Sequence, residues 1–212
     1  MTGNEVQLST ETQHNESEIN SNLYSLENFL TEMGLEIGDV TPDNEGNIIW
    51  PTFINTSIAR TKTIIPICSL ERLHAATPPL DPIKFATMCD MINSTGIYLY
   101  STAIIRDDDN DIKTDNKREI VFECRQFPKS SGYSEDPATG IAAGALAASL
   151  HKRQIMSNKS YKIDSNNYVI YQGTAMNRPS KIQVNICGSN TSEELKVLYT
   201  GLVAFDSISI SE

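Results

Sequence analysis

The chain has 212 residues, of which 39% are hydrophobic and 21% charged, a balance typical of a globular protein. Its net charge of −10, its pI near 4.8 and the lack of a basic run argue against nucleic acid or an anionic membrane as a partner. No apolar stretch reaches the roughly 18 residues needed to span a bilayer, and the N-terminus has no secretory signal pattern. We therefore expect a cytoplasmic protein.

The N-terminal segment differs in composition from the rest of the chain. Residues 1–22 are rich in Asn, Ser, Thr and Glu, which predicts a disordered leader, and one domain is expected over residues 23–212. Ser25 is a good N-cap for a first helix, and Gly34 suits its C-cap. The buried stripe of this helix is predicted to be Leu26, Phe29, Leu30 and Met33.

The middle of the chain alternates between strand-like and helical patterns. Strands are predicted at residues 48–50, 61–67, 96–105 and 119–124, the last of them buried on one face only. A helical turn is expected at residues 70–74, and Asp81 followed by Pro82 predicts the start of a longer helix. The acidic loop at residues 107–111 could bind calcium, but it lacks the ligand spacing of an EF-hand, so a solvated loop is favoured.

Residues 138–150 form the most unusual segment, since they are almost entirely Ala, Gly and Leu. A helix that is apolar on all sides must be surrounded by protein. Strand patterns return at residues 168–171, 181–186, 195–199 and 202–210. The order predicts an α+β fold with an antiparallel sheet curled around a central buried helix.

The cysteines and histidines are scattered along the chain. Cys68, Cys89, Cys124 and Cys187 could form two disulfides, but each lies in an apolar or strand-like run, which favours buried free thiols. The histidines are His14, His74 and His151. Their spacing predicts neither a zinc site nor a catalytic triad, and we expect no metal. His151 is expected to be a cation in the last turn of the central helix.

The segment from Ser134 to Gly140 carries the sharpest chemical signal. Asp136 and Thr139 lie where the central helix begins, and the first amides of a helix lack intrahelical acceptors. One interpretation is that Asp136 or Thr139 merely caps the helix. The other is that the helix amides bind a substrate carboxylate, with Gly140 allowing close approach, while Asp136 handles an amine or a proton.

Three sequence blocks occur in a recognisable order. The first is Thr63–Leu70 with Leu73 and Pro78–Leu80; the second is Arg125, Phe127 and Pro128 followed by EDPATG at 135–140; the third is Gln172-Gly173, Met176 and Arg178-Pro179-Ser180. Together they resemble the PhzF family of phenazine-biosynthesis-type isomerases, which are related in fold to diaminopimelate epimerase. The resemblance extends from about residue 45 to residue 206.

The resemblance implies two α+β lobes with an active site between them, and it places this chain mainly in the second lobe. In the family, a glutamate of the first lobe shuttles a proton during isomerisation of a small amino or hydroxy acid. Asp136 would then hold and polarise the substrate. The residues implied to bind its carboxylate are Ala138, Thr139, Gly140 and Ile141. The resemblance implies no metal, pyridoxal phosphate or nicotinamide cofactor.

Two departures from the family pattern shape the functional hypotheses. The first lobe is expected to be largely missing, since Thr10-Glu11-Thr12 only superficially echoes the segment with the catalytic glutamate, and Ile141 stands where the family usually has Ser. One hypothesis is an isomerase or epimerase using cofactor-independent proton transfer, with the base supplied by an upstream segment, a partner lobe or a homodimer. The alternative is a catalytically inactive or truncated protein that keeps a small-acid binding or scaffold role.

Overall fold

The computed structural model describes residues 4–7, 12–13, 25–41, 53–106, 119–156, 166–187 and 194–200. The strands are β1 (Asn4–Gln7), β2 (Thr12–Gln13), β3 (Ile54–Thr56), β4 (Lys62–Pro66), β5 (Gly96–Arg106), β6 (Glu119–Pro128), β7 (Asn167–Gln172), β8 (Ser180–Cys187) and β9 (Glu194–Thr200). The α-helices are α1 (Leu26–Glu32), α2 (Leu70–Ala75), α3 (Pro82–Met91) and α4 (Gly140–Met156), and 3₁₀ turns lie at Ile37–Asp39 and Thr174–Met176.

The nine strands form one sheet in the order β1-β9-β8-β7-β6-β5-β4-β3-β2. The α+β class is confirmed, and the sheet, which was predicted as antiparallel, is mixed. The pairs β4–β5 and β6–β7 are parallel, and the other pairs are antiparallel. Parallel neighbours need a long crossover. Helices α2 and α3 provide it between β4 and β5, and α4 provides it between β6 and β7.

Two hydrophobic cores lie on opposite faces of this sheet. On the inner face, α4 contacts β3 and β4 towards one edge and β8 and β9 towards the other, so the sheet curls around the helix. The outer core contains residues of α1 and α3 together with Leu73 of α2, and the partly buried Leu70 of α2 packs against it. Successive strand residues alternate between the cores, as Ile64 packs inside and Ile65 outside. The predicted central buried helix is confirmed.

The predicted helix starts are also confirmed by their caps. The Ser25 side chain accepts a hydrogen bond from the amide of Asn28 at 3.3 Å. Asp81 accepts from the amides of Ile83 and Lys84, both at 3.0 Å, ahead of a helix that begins with Pro82. These bonds satisfy amides that have no acceptor within the helix.

Strand β6 differs from its prediction because both of its faces are covered. Glu123 and Arg125 are buried on the outer face, where α2 packs against the strand.

His151 also differs from its prediction as a cation in the last turn of the central helix. Helix α4 continues beyond it to Met156, and burial lowers the pKa of the imidazole. The four thiols are free in the described part of the chain; Cys89 and Cys124 are buried as predicted, whereas Cys68 is exposed.

Several predictions fall wholly or partly outside the described residues. Within the predicted leader 1–22, the structure has strands β1 and β2 where disorder was expected, and the remainder of that segment stays a prediction. The predicted strands at 48–50 and 202–210 and the acidic loop at 107–111 lie outside the described residues. Across the helices that the structure does describe, none is both long and apolar enough to cross a membrane.

A candidate active site at the N-terminus of the central helix

The loop between β6 and α4 brings Asp136 to the start of the central helix. Its Oδ1 accepts a hydrogen bond from the amide of Ala138 at 3.1 Å, and its Oδ2 accepts one from the Thr139 hydroxyl at 2.7 Å. The amide of Asp136 itself donates to the carbonyl oxygen of Gln126 at 3.1 Å. Asp136 is therefore bonded within the loop that precedes α4, and it is fixed beside the first turn of that helix.

Side chains from β7 and β8 hold this loop in place. Gln172 Oε1 accepts from the amide of Thr139 at 3.2 Å and from the Tyr98 hydroxyl at 3.1 Å. Gln172 Nε2 donates to the carbonyl oxygen of Asp136 at 2.6 Å, and the Ser180 hydroxyl donates to that of Pro137 at 2.8 Å. Gln172 and Ser180, which both belong to the third sequence block, thus hold the loop from two neighbouring strands.

Arg125 supports the same loop from the outer face of the sheet. Its guanidinium forms a bidentate pair with Glu135, Nε to Oε1 at 2.8 Å and Nη2 to Oε2 at 2.7 Å, and stacks on the Phe127 ring at 5.1 Å. Its Nη1 also donates to carbonyl oxygens around the end of α2, including that of Ala76. Arg125 thus pairs with a carboxylate of the loop and lies on the opposite side of the sheet from α4.

A cavity of about 590 Å³ opens at the first turn of α4. This volume lies within the usual range of small-ligand sites. All five residues that the sequence singled out line it: Asp136, Ala138, Thr139, Gly140 and Ile141. The amides in the first turn of a helix lack intrahelical acceptors and carry the positive end of the helix dipole, so this wall favours an anion.

Cationic side chains line the same cavity although the chain as a whole is acidic. They are Arg60, Lys62 and Lys129. Lys129 pairs with Asp90, while Lys62 Nζ donates to the carbonyl oxygen of Thr95 at 3.3 Å. Burial lowers the pKa of Lys62, the charge of Arg60 lowers it further, and the carboxylate of Asp136 opposes both effects. The cations of Arg60 and Lys62 and the N-terminus of α4 therefore act on the same cavity.

Gln126 adds an unusual polar group to the cavity wall. The residue is only 1% exposed, and neither Oε1 nor Nε2 has a hydrogen-bond partner among the residues that the structure describes. A buried polar group without a partner costs about 1–3 kcal/mol. An arrangement that is unfavourable for folding and lines a cavity is typical of a binding site.

Sequence reasoning singled out the helix terminus but missed Lys62, Arg60 and Gln126. A signal was present for two of them. Lys62 and Gln126 occupy alternate positions with Ile64 and Cys124 on strands whose inner faces are otherwise apolar, so each is a polar residue on a core face. Arg60 lies outside a regular element and carries no such signal. Over the described ranges, no group of three or more His, Cys, Asp or Glu side chains could hold a metal ion.

The curled sheet around a buried helix, with an anion-favouring cavity at the helix N-terminus, defines a class of α+β protein to which known proteins can be compared. The model of a family described as phenazine biosynthesis-like protein, PhzC-PhzF, matches residues 56–205. The chain belongs to this family.

Individual relatives are more distant and longer. An uncharacterized isomerase of Clostridium acetobutylicum is 26% identical over 184 residues, which cover 85% of this chain and 53% of the relative. The crystal structure of a PhzF-family protein from Bacillus anthracis matches with a TM-score of 0.56 at 19% identity, over 82% of this chain and 50% of that one. A predicted epimerase from Pseudomonas aeruginosa matches with a TM-score of 0.55 at 18% identity, over 94% and 57%.

These structural matches establish the diaminopimelate epimerase-like fold that the sequence predicted. The chain spans about half the length of the relatives it matches. It is similar to one part of each of them.

Proposed function

We propose that this protein is an isomerase or epimerase that moves a proton on a small amino or hydroxy acid. The observation that carries the proposal is the convergence of Asp136 and the first turn of α4 on one cavity that also contains cations. The substrate carboxylate binds at Gly140 and Ile141, where the helix dipole favours it. Membership of the family and the isomerase relative support the reaction class.

In this mechanism Asp136 binds the amino or hydroxy group of the substrate and takes part in proton transfer as a general acid or base. Its loop is fixed by Gln172 and Ser180, so the carboxylate stays in position relative to the helix amides. Ile141 leaves the first turn without the hydroxyl group that the family usually has there, so the carboxylate depends on the amides of the helix. No cofactor step is part of the proposal.

The resemblance to the family implies a second proton-transfer group on a complementary lobe, and the relatives that the chain matches are about twice its length. We propose a second copy of the chain or a partner lobe as its source, and light scattering of the purified protein tests the homodimer. The free thiols in the described part of the chain are consistent with work in the cytoplasm.

The proposal is tested by exchange of substrate protons with solvent. The protein is incubated in D₂O with a panel of D- and L-amino acids and 2-hydroxy acids, and mass spectrometry detects deuterium at the α-carbon. Asp136→Asn should reduce exchange about 10²–10⁴-fold, the usual contribution of a positioned acid or base. Asn keeps an oxygen that can cap Ala138, so the fold should be retained.

Asp81→Asn is the matched control, because Asp81 likewise accepts backbone amides beside the start of a helix, α3, and Asn is an equally good cap there. Equal exchange in both variants would contradict the role of Asp136. If the folded protein binds a small acid saturably but exchanges no proton in any member of the panel, the isomerase proposal is wrong and the small-acid binding alternative replaces it.

A further inference from the structure

The inner wall of the cavity carries two polar side chains that the proposed reaction does not use. Lys62 on β4 and Gln126 on β6 both point to the α4 side of the sheet, because Ile64 and Cys124, two residues along each strand, pack in the inner core. Both line the cavity, and their residues are only 7% and 1% exposed. Lys62 and Gln126 therefore occupy positions on the inner face of the sheet where apolar side chains would be expected to pack.

The backbone between these two strands leaves room for the amide. Gly96 opens β5, the strand that lies between β4 and β6, and it has a φ of +141°. A Cβ at this position would lie 2.8 Å from Gln126 Nε2 and 2.5 Å from the carbonyl oxygen of Phe127. The fold therefore accommodates the Gln126 side chain but gives its amide no partner among the described residues.

The cavity thus has two places that favour negative charge. One is the first turn of α4, at Gly140 and Ile141. The other is formed by the Lys62 ammonium, the nearby cation of Arg60 and the N–H donors of Gln126. A single carboxylate at the helix terminus would leave the second place, and the acceptor Oε1 of Gln126, without a ligand group.

We infer that the ligand is a small dicarboxylic acid carrying an amino or hydroxy group, with its second carboxylate held by Lys62 and Gln126. Lys62 Nζ and Gln126 Nε2 donate to the second carboxylate, and Gln126 Oε1 accepts from the amino or hydroxy group. This inference rests on the proposed function, since it names the substrate class of the same cavity. It makes Lys62 and Gln126 specificity-determining residues.

The test compares matched pairs of acids that differ only in the second carboxylate. Calorimetric titration measures binding of D- and L-aspartate, glutamate and 2-aminoadipate, each beside the monocarboxylic amino acid obtained by replacing the distal carboxylate with a methyl group. We expect at least one dicarboxylate to bind about tenfold or more tightly than its partner, an increment typical of charge-assisted hydrogen bonds. Lys62→Met should abolish this preference, and Gln126→Leu should reduce it.

Two control variants remove the same side-chain types elsewhere. One is Lys152→Met, because Lys152 lies 12 residues beyond Gly140 on α4, about 18 Å away along the helix. The other is Gln183→Leu, because Gln183 occupies an exposed position on β8. Both should keep the preference of the unchanged protein. Equal binding of the two members of every pair, no binding of any acid, or a preference that Lys62→Met leaves unchanged would overturn the inference.

Gln126→Leu has a second readout that separates binding from structural support. Removal of an unpaired buried amide in favour of an apolar side chain should leave the thermal unfolding midpoint unchanged or raise it. A lower midpoint together with an unchanged binding preference would show that Gln126 supports the fold and would overturn its role in binding.

The binding experiment and the deuterium experiment fail independently. A dicarboxylate preference that depends on Lys62, without exchange of any substrate proton, supports the inference and contradicts the isomerase proposal. Exchange that depends on Asp136, with no preference within the pairs, supports the isomerase proposal and contradicts the inference.

Discussion

Arg125 shows how a single buried charge positions the candidate site without lining it. The bidentate pair with Glu135 ties β6 to the loop that carries Asp136, and both side chains are at most 6% exposed. A buried ion pair contributes little net stability, but loss of one partner leaves an uncompensated charge. The main effect of the pair is therefore to fix the position of the loop relative to β6.

We expect Arg125→Met to lower the free energy of unfolding by about 3–5 kcal/mol, because it leaves the Glu135 carboxylate buried without a partner of opposite charge. Urea unfolding measures the loss. The double variant Arg125→Met/Glu135→Gln removes both charges and should recover a large part of it. If the double variant is as unstable as the single one, the pair is not the reason for the loss.

His151 should give the protein a stability that depends on pH. Burial lowers the pKa of this imidazole from 6.5, and its Nδ1 lies 3.3 Å from the Tyr168 hydroxyl. The unfolded chain then binds more protons than the folded one below about pH 6.5. The contribution is fully present above pH 6.5 and is lost as the pH falls below that value towards the folded pKa.

The measurement is urea unfolding of the protein and of His151→Gln between pH 7.5 and 5. The difference in unfolding free energy between the two should shift in favour of the variant as the pH falls, because Gln does not titrate. Groups other than His151 titrate in both proteins and cancel in the difference. A difference that is constant with pH would show that the imidazole titrates alike in both states.

At the level of elements, the turn between β7 and β8 depends on a glycine that no other residue can replace. Gly173 has a φ of +84°, and a Cβ there would overlap the carbonyl oxygen of Arg178 and lie 2.9 Å from that of Pro137. Both neighbours are backbone atoms, so neither can rotate away. Because Pro137 follows Asp136, strain in this turn reaches the candidate site directly.

Gly173→Ala should therefore destabilise the protein and weaken ligand binding. Gly132→Ala is a matched control, because Gly132 has a similar φ of +76° but an added Cβ would meet nothing within 4 Å. The control isolates the left-handed backbone conformation, which costs about 1–2 kcal/mol for a residue with a Cβ. Urea unfolding should show a larger loss for Gly173→Ala, and an equal loss in both variants would contradict the role of the close contacts.

Most elements could be predicted from local sequence signals, and the failures have a common physical cause. Ser25, Asp81 and the Ala-rich run at 138–150 carry their signals locally, since capping and helix burial depend on neighbours along the chain. Burial of Glu123 and the parallel pairing of β6 with β7 depend on distant elements. The same holds for the candidate site. The loop at 136–141 is contiguous in sequence and could be predicted, whereas Lys62 and Gln126 reach the cavity only because the sheet brings β4 and β6 beside that loop.

At the level of the whole molecule, one sheet supplies both cores. Neighbouring residues of β5 point to opposite sides, with Tyr98 in the inner core beside α4 and Leu99 in the outer core. The central strands cannot lose one core without losing the packing on half of their own side chains. We therefore expect the two cores to unfold together as a single cooperative unit.

Two matched substitutions test this expectation, since Leu146 on α4 and Leu30 on α1 are both fully buried, one in each core. Either change to Ala should cost about 2–5 kcal/mol and shift one common urea transition, followed by circular dichroism. Hydrogen exchange measured by mass spectrometry should accelerate throughout β5 in both variants, because the strand is shared. Two separate transitions, or faster exchange confined to the side of the substitution, would show instead that the inner and outer layers of the molecule unfold independently.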